Sequence, residues 1–123
     1  MLIFKTKDFS RWAKKIKLSD SKLIDAISEM TQGLIDAELG RYLYKKRIAL
    51  QNSGKRGGAR TIIAYKDKEI AYFIYGFAKN EKENISTSEK EAFKEYAITL
   101  IDMDAKQLHI AIVSGEIIEV RDE

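Results

Sequence analysis

The chain has no cysteine, no proline, one histidine and one tryptophan among its 123 residues. Without cysteine there is no disulfide, no thiolate nucleophile, no Cys-ligated zinc and no iron–sulfur cluster. His109 alone cannot furnish a multi-histidine metal site, and a Ser-His-Asp enzyme is disfavoured for the same reason. Its setting among Leu108, Ile110, Ile112 and Val113 gives it a packing or capping role. No run approaches the roughly 18–20 apolar residues of a membrane span, and Met1 to Asp8 lacks the apolar core of a signal peptide. These absences imply no metal, no cofactor and no membrane partner. They leave one small cytoplasmic domain spanning residues 1–123.

What is present is ordinary in amount and uneven in place. Apolar residues make up 45% of the chain and charged residues 33%, close to globular averages. The net charge of +3 conceals a segment, residues 41–82, with 11 basic side chains against three acidic ones, Asp67, Glu69 and Glu81. Residues 83–123 carry four basic against 10 acidic side chains. So strongly basic a segment repels itself, and binding a polyanion, with release of its counterions, accounts for it better than folding does.

Hydrophobic periodicity sketches one α+β domain. Leu2-Ile3-Phe4 reads as a first strand. Phe9, Trp12, Ala13 and Ile16 then recur at helical spacing, followed by a helix capped at Ser19, carrying Leu23, Ile24, Ile27 and Met30, and stopped at Gly33. Arg41 to Ala49, Thr61 to Tyr65 and Ile70 to Tyr75 read as an antiparallel meander, its second turn at Lys66 to Glu69. Ser86-Thr87-Ser88-Glu89 is a capping box for a helix carrying Phe93, Tyr96, Ala97, Leu100 and Ile101. A last helix spans about Asp104 to Ser114, ended by Gly115, with a short strand possible over Glu116 to Val120. The expected fold is therefore a small twisted antiparallel sheet, a three-strand meander plus an N-terminal strand. It packs on an N-terminal helical hairpin, with C-terminal helices.

Gly54-Lys55-Arg56-Gly57-Gly58-Ala59-Arg60 is the sharpest local motif, expected as a polar loop leading into a strand. Glycines permit close backbone approach, and the cations between them suit a phosphate. It is not a Walker A loop: the Gly-x4-Gly-Lys-Ser/Thr spacing is absent and a strand follows. Arg60, at the start of a strand, is aimed by a fixed backbone. On the preceding strand, alternation sends Lys45 and Arg47 to one face and Lys46 to the other, among Tyr42 and Tyr44. Tyr75-Gly76-Phe77-Ala78-Lys79-Asn80-Glu81 places Lys79 at a strand end, where it could converge with Arg60. Basic residues interleaved with aromatics suit RNA backbones and unstacked bases. Glu89, Glu91 and Glu95 look like a solvent face.

Taken in order, these motifs resemble the RelE/ParE superfamily of bacterial type II toxins, nearest its HigB-like branch. The likeness rests on the Gly-Lys-x-Gly-Gly-x-Arg segment 54–60, on Tyr75 to Glu81, on Lys45 to Ala49 and on Gly115 to Val120. The resemblance implies a RelE-like fold and a metal-independent, ribosome-dependent endoribonuclease that cuts mRNA by 2′-OH attack and so inhibits translation. It implies a cognate helix-turn-helix antitoxin, with the ribosome and mRNA as further partners. It implies Arg60 and Lys79 as phosphate stabilisers, Lys55 as a proton-transfer group and Arg56 as a phosphate clamp. Lys45, Lys46, Arg47 and Tyr75 would then bind RNA. The tail, residues 116–123, lacks the tyrosine or histidine that better-known members place there. Relatives of the same fold poison DNA gyrase, and a relative that only binds RNA or antitoxin is the other alternative.

Overall fold

In the computed structural model, residues 1–50 and 54–122 are described, residues 54–57 by backbone alone. Strand β1 (Leu2–Thr6) leads directly into helix α1 (Lys7–Lys15), because the Thr6 hydroxyl accepts a hydrogen bond from Phe9 N–H and caps the helix. Helix α2 (Asp20–Thr31) starts at Ser19, which caps Lys22 N–H, and is followed by Gly33 at φ +90°. Strands β2 (Ala37–Gly40), β3 (Leu43–Leu50), β4 (Gly54–Lys66) and β5 (Ile70–Ala78) form consecutive antiparallel pairs. Helix α3 (Thr87–Asp102) carries the expected capping box of Ser86 and Glu89, and α4 (Ala105–Val113) a second one of Asp104 and Gln107. Strand β6 (Ile117–Glu119) closes the chain.

The fold is α+β, and its sheet has six strands in the order β2-β3-β4-β5-β1-β6. It is mixed rather than antiparallel throughout. The α1–α2 hairpin carries the chain across one face to the far edge, so the meander returns toward β1 and lays β5 parallel to it. β6 then pairs antiparallel on the other side of β1. Two strands extend the expected four: β6, from the stretch 116–120, and β2, which ends in Gly40 at φ +92° and has no glycine at the tip of its turn. Its tip residues Arg41 and Tyr42 adopt φ +49° and +66°, as a two-residue hairpin turn of this twist requires. The glycine-rich segment also differs from the expected loop: Gly54 to Gly58 belongs to β4, with Gly54 opposite Leu50.

Helices cover both faces. Phe9, Leu23, Ile27, Ile63 and Phe73 belong to the core under α1 and α2, while Phe4, Leu43, Ile62, Tyr72 and Leu100 belong to the core under α3 and α4. Burial on two faces explains why Thr61 to Tyr65 and Ala71 to Ile74 are enclosed without a break. Each large apolar side chain so buried contributes about 1.5–3 kcal/mol.

Candidate functional site

Register brings the basic motifs together. On the α3-side face of the sheet, Arg47 of β3 stands opposite Arg60 of β4, which stands opposite Phe77 of β5. Two residues along, Lys45, Ile62 and Tyr75 form the adjacent row. Strands lie about 4.8 Å apart and alternate residues about 6.7 Å apart, so three cations and two aromatic rings share a small area. Like charges directly opposite destabilise a sheet, and here the Asp36 carboxylate lies against Arg47.

One irregularity aims the aromatic pair. Ile62 pairs with Tyr75, yet Ile63 pairs with Phe73, so Ile74 is an extra residue in β5. Without this bulge, alternation from Tyr72 would send Tyr75 and Phe77 to the α1 side. With it, Tyr75 packs against Phe77 and against Phe93 of α3, at ring-centroid distances of 6.0 and 5.2 Å. Gly76 turns instead toward α1, where the Trp12 ring occupies the space a Cβ would need.

Arg60 is only 6% exposed, and its guanidinium donates to the Gly58 carbonyl at 3.4 Å. An arginine stays charged even when enclosed, and its planar fork suits phosphate oxygens. Arg47 is exposed, with Nε 3.6 Å from Asp36, whose other oxygen accepts from Arg47 N–H. Lys45 reaches Asn84 Oδ1 at 3.5 Å. Lys79, exposed, lies just past the end of β5, two residues from Phe77. Lys46 is apart from this group. It faces α2, enclosed, and donates to Glu29 at 2.7 Å and to the Leu34 carbonyl at 2.9 Å. The side chains of Lys55 and Arg56 lie outside the described residues.

Sequence reasoning overlooked Lys82 and gave Glu89 to solvent. The Lys82 ammonium binds both Glu89 oxygens at 2.7 Å and sits 5.5 Å above the Tyr75 ring. Glu89 also accepts from Ser86 N–H, so the helix cap and the cation share one carboxylate. The bond from Lys82, then that from Ser86, holds Glu89 below its usual pKa, and the bond to Glu89 lifts Lys82 above its own. Lys82 is thus a fixed positive charge at neutral pH rather than a proton donor. The signal that could have found it is the seven-residue step to the capping-box glutamate.

Next to β5 opens a cleft of about 340 Å³ whose lining includes Asp8, Trp12, Tyr75, Phe77, Glu81 and Lys82. The ladder between β1 and β5 ends at Phe73, while β5 continues to Ala78, so the cleft borders the outer edge of the strand. Among the described residues no group of acidic and histidine side chains could hold a metal ion. No helix there is long and apolar enough to cross a membrane.

A mixed sheet with helices on both faces and an arginine pair across two central strands defines a small α+β domain. Residues 1–120 match the family model of the RelE toxin of the RelE/RelB toxin–antitoxin system. The chain belongs to that family, and membership implies an antitoxin partner. A comparison with curated proteins finds no match.

Proposed function

We propose that the protein is a metal-independent, ribosome-dependent mRNA endoribonuclease of the HigB-like branch, acting in the cytoplasm and restrained by a helix-turn-helix antitoxin. The observation that carries this reading is the in-register pair of Arg47 and Arg60 beside Tyr75 and Phe77. In the reaction the ribose 2′-oxygen forms a bond to the adjacent phosphorus and the bond to the 5′-oxygen breaks. The 2′-proton leaves to a base, and a proton reaches the departing 5′-oxygen. Extra negative charge builds on the phosphoryl oxygens in between. Arg60, held by the sheet, and Lys79 at the end of the next strand stabilise that charge, each donor supplying about 2.7–4 kcal/mol by analogy with oxyanion holes. Lys55 and Arg56 serve as proton-transfer group and phosphate clamp. Lys45 and Arg47 hold the flanking backbone, and Tyr75 offers a ring to a base. Lys46, engaged with Glu29 on the other face, supports β3 instead.

Induced expression in a bacterial host, followed by primer-extension mapping of mRNA ends, tests this. New ends inside translated codons, abolished by Arg60→Ala, are expected. Growth arrest with intact mRNA would refute the nuclease and direct attention to gyrase.

A further inference from the structure

Apart from the Tyr75 ring, the cleft beside β5 has no role in the reading above. We propose that it seats a single unstacked guanine of the RNA whose phosphate lies on the Arg47–Arg60 row, an inference that rests on the ribonuclease reading. At about 340 Å³ it is at the small end of ligand cavities, with room for one nucleoside and not for a helix. Trp12 and Tyr75, both partly exposed, supply ring surface, on which any base can stack. Phe77 is the direct neighbour of Arg60 across the strands, about 5 Å away. That spacing suits a phosphate on one strand and its base beyond the next.

The polar lining selects the base. Carboxylates only accept hydrogen bonds and an ammonium only donates them. Asp8 and Glu81 are the carboxylates and Lys82 the ammonium in the lining. Guanine presents two adjacent N–H donors and a carbonyl acceptor on one edge, which matches a carboxylate beside an ammonium. Adenine and cytosine would turn a ring-nitrogen lone pair toward the carboxylate. Uracil offers one N–H between two carbonyls. Glu81 is one of only three acids in the basic segment 41–82. A carboxylate there weakens phosphate binding and makes sense at a base edge.

Trp12 is the only tryptophan and lines the cleft, so its fluorescence reports occupancy. The full-length chain is titrated with the 5′-monophosphates of guanosine, adenosine, cytidine and uridine, with absorbance corrected against free tryptophanamide. Expected is saturable quenching by the guanosine nucleotide at concentrations about tenfold below those of the others, as one good bidentate contact provides. Asp8→Asn and Glu81→Gln, both at exposed positions, should retain the melting temperature, and one of them should reduce the preference to about threefold or less. Equal quenching by all four nucleotides, or by none, overturns the proposal. Quenching by the antitoxin alone also overturns it, in favour of a peptide along the β5 edge. Mapping mRNA ends separates the two readings. Cuts without bias toward guanine leave the nuclease standing and sink the guanine site, whereas guanine-selective quenching with intact mRNA sinks the nuclease and leaves the site.

Discussion

Gly76→Ala should destabilise the protein through one collision. Gly76 is enclosed in β5 opposite Thr61, and a Cβ there would meet Cζ3, Cε3 and Cη2 of Trp12, the body of a rigid ring rather than a flexible tip. The ring has little freedom to yield on its helix side. It packs on Phe9 at 5.5 Å, and Phe9 packs on Phe73 at 5.2 Å. Overpacking of this kind costs about 1–3 kcal/mol, and removing a glycine from the unfolded chain offsets about 0.4–1 kcal/mol. A net loss of about 1–2 kcal/mol lowers the melting temperature of a domain this size by roughly 3–12 °C. Far-ultraviolet circular dichroism and Trp12 fluorescence measure it. Trp12→Leu alone leaves a void, and in the double variant the methyl introduced by Gly76→Ala fills part of that void. The two costs should therefore sum to about 1 kcal/mol or more above the double variant's loss. A Gly76→Ala melt within about 1 °C of the parent, or an additive cycle, would refute the packing argument.

Other expectations follow from the same geometry. Arg60→Lys should keep the melting temperature within a few degrees yet reduce mRNA cleavage, because a lysine cannot reproduce the planar fork; end mapping at matched expression checks it. Lys46→Ala should cost about 2–3 kcal/mol, less than the roughly 3–5 kcal/mol of breaking a fully buried pair, since Glu29 is partly exposed. Its RNA affinity per folded molecule should not change, and loss of affinity without loss of stability would show Lys46 to be an RNA contact after all. Burial lifts Tyr72 from 10.0 to about 12. The folded state then holds a proton that the unfolded state releases, so stability should fall as pH rises from 10 to 12, read as alkaline denaturation that Tyr72→Phe diminishes. Glu89 has the opposite sign. Its depressed folded pKa gives stability that is present above the ordinary value of 4.5 and disappears as pH falls, and Glu89→Gln should flatten that acid limb in a pH series of melts.

Local chemistry was legible in the residues themselves. Ser19 and Ser86 cap the helices assigned to them, Gly33 and Gly115 follow helix ends at positive φ, and Lys45 and Arg47 share a face with Lys46 on the other. These features depend on neighbours within a few positions, where side-chain capping and strand alternation act. β2 escaped because four residues are too few to show a periodicity and the tip of the turn after Gly40 holds no glycine. The site depends on longer relations. That Arg60 faces Arg47 requires a register, and a register slip of one residue would put them on opposite faces. That Tyr75 and Phe77 join them depends on the bulge at Ile74, which no pattern in Ile70 to Ala78 announces. Strict alternation along β5 would have placed both rings against Trp12 and Gly76 against the arginines. The bulge exchanges those positions, giving the cations aromatic neighbours and giving Trp12 the one residue small enough to lie beneath its ring. Gly76 was thus readable as a glycine but not as a requirement. Its necessity follows only once helix α1, far earlier in the chain, is laid across the strand.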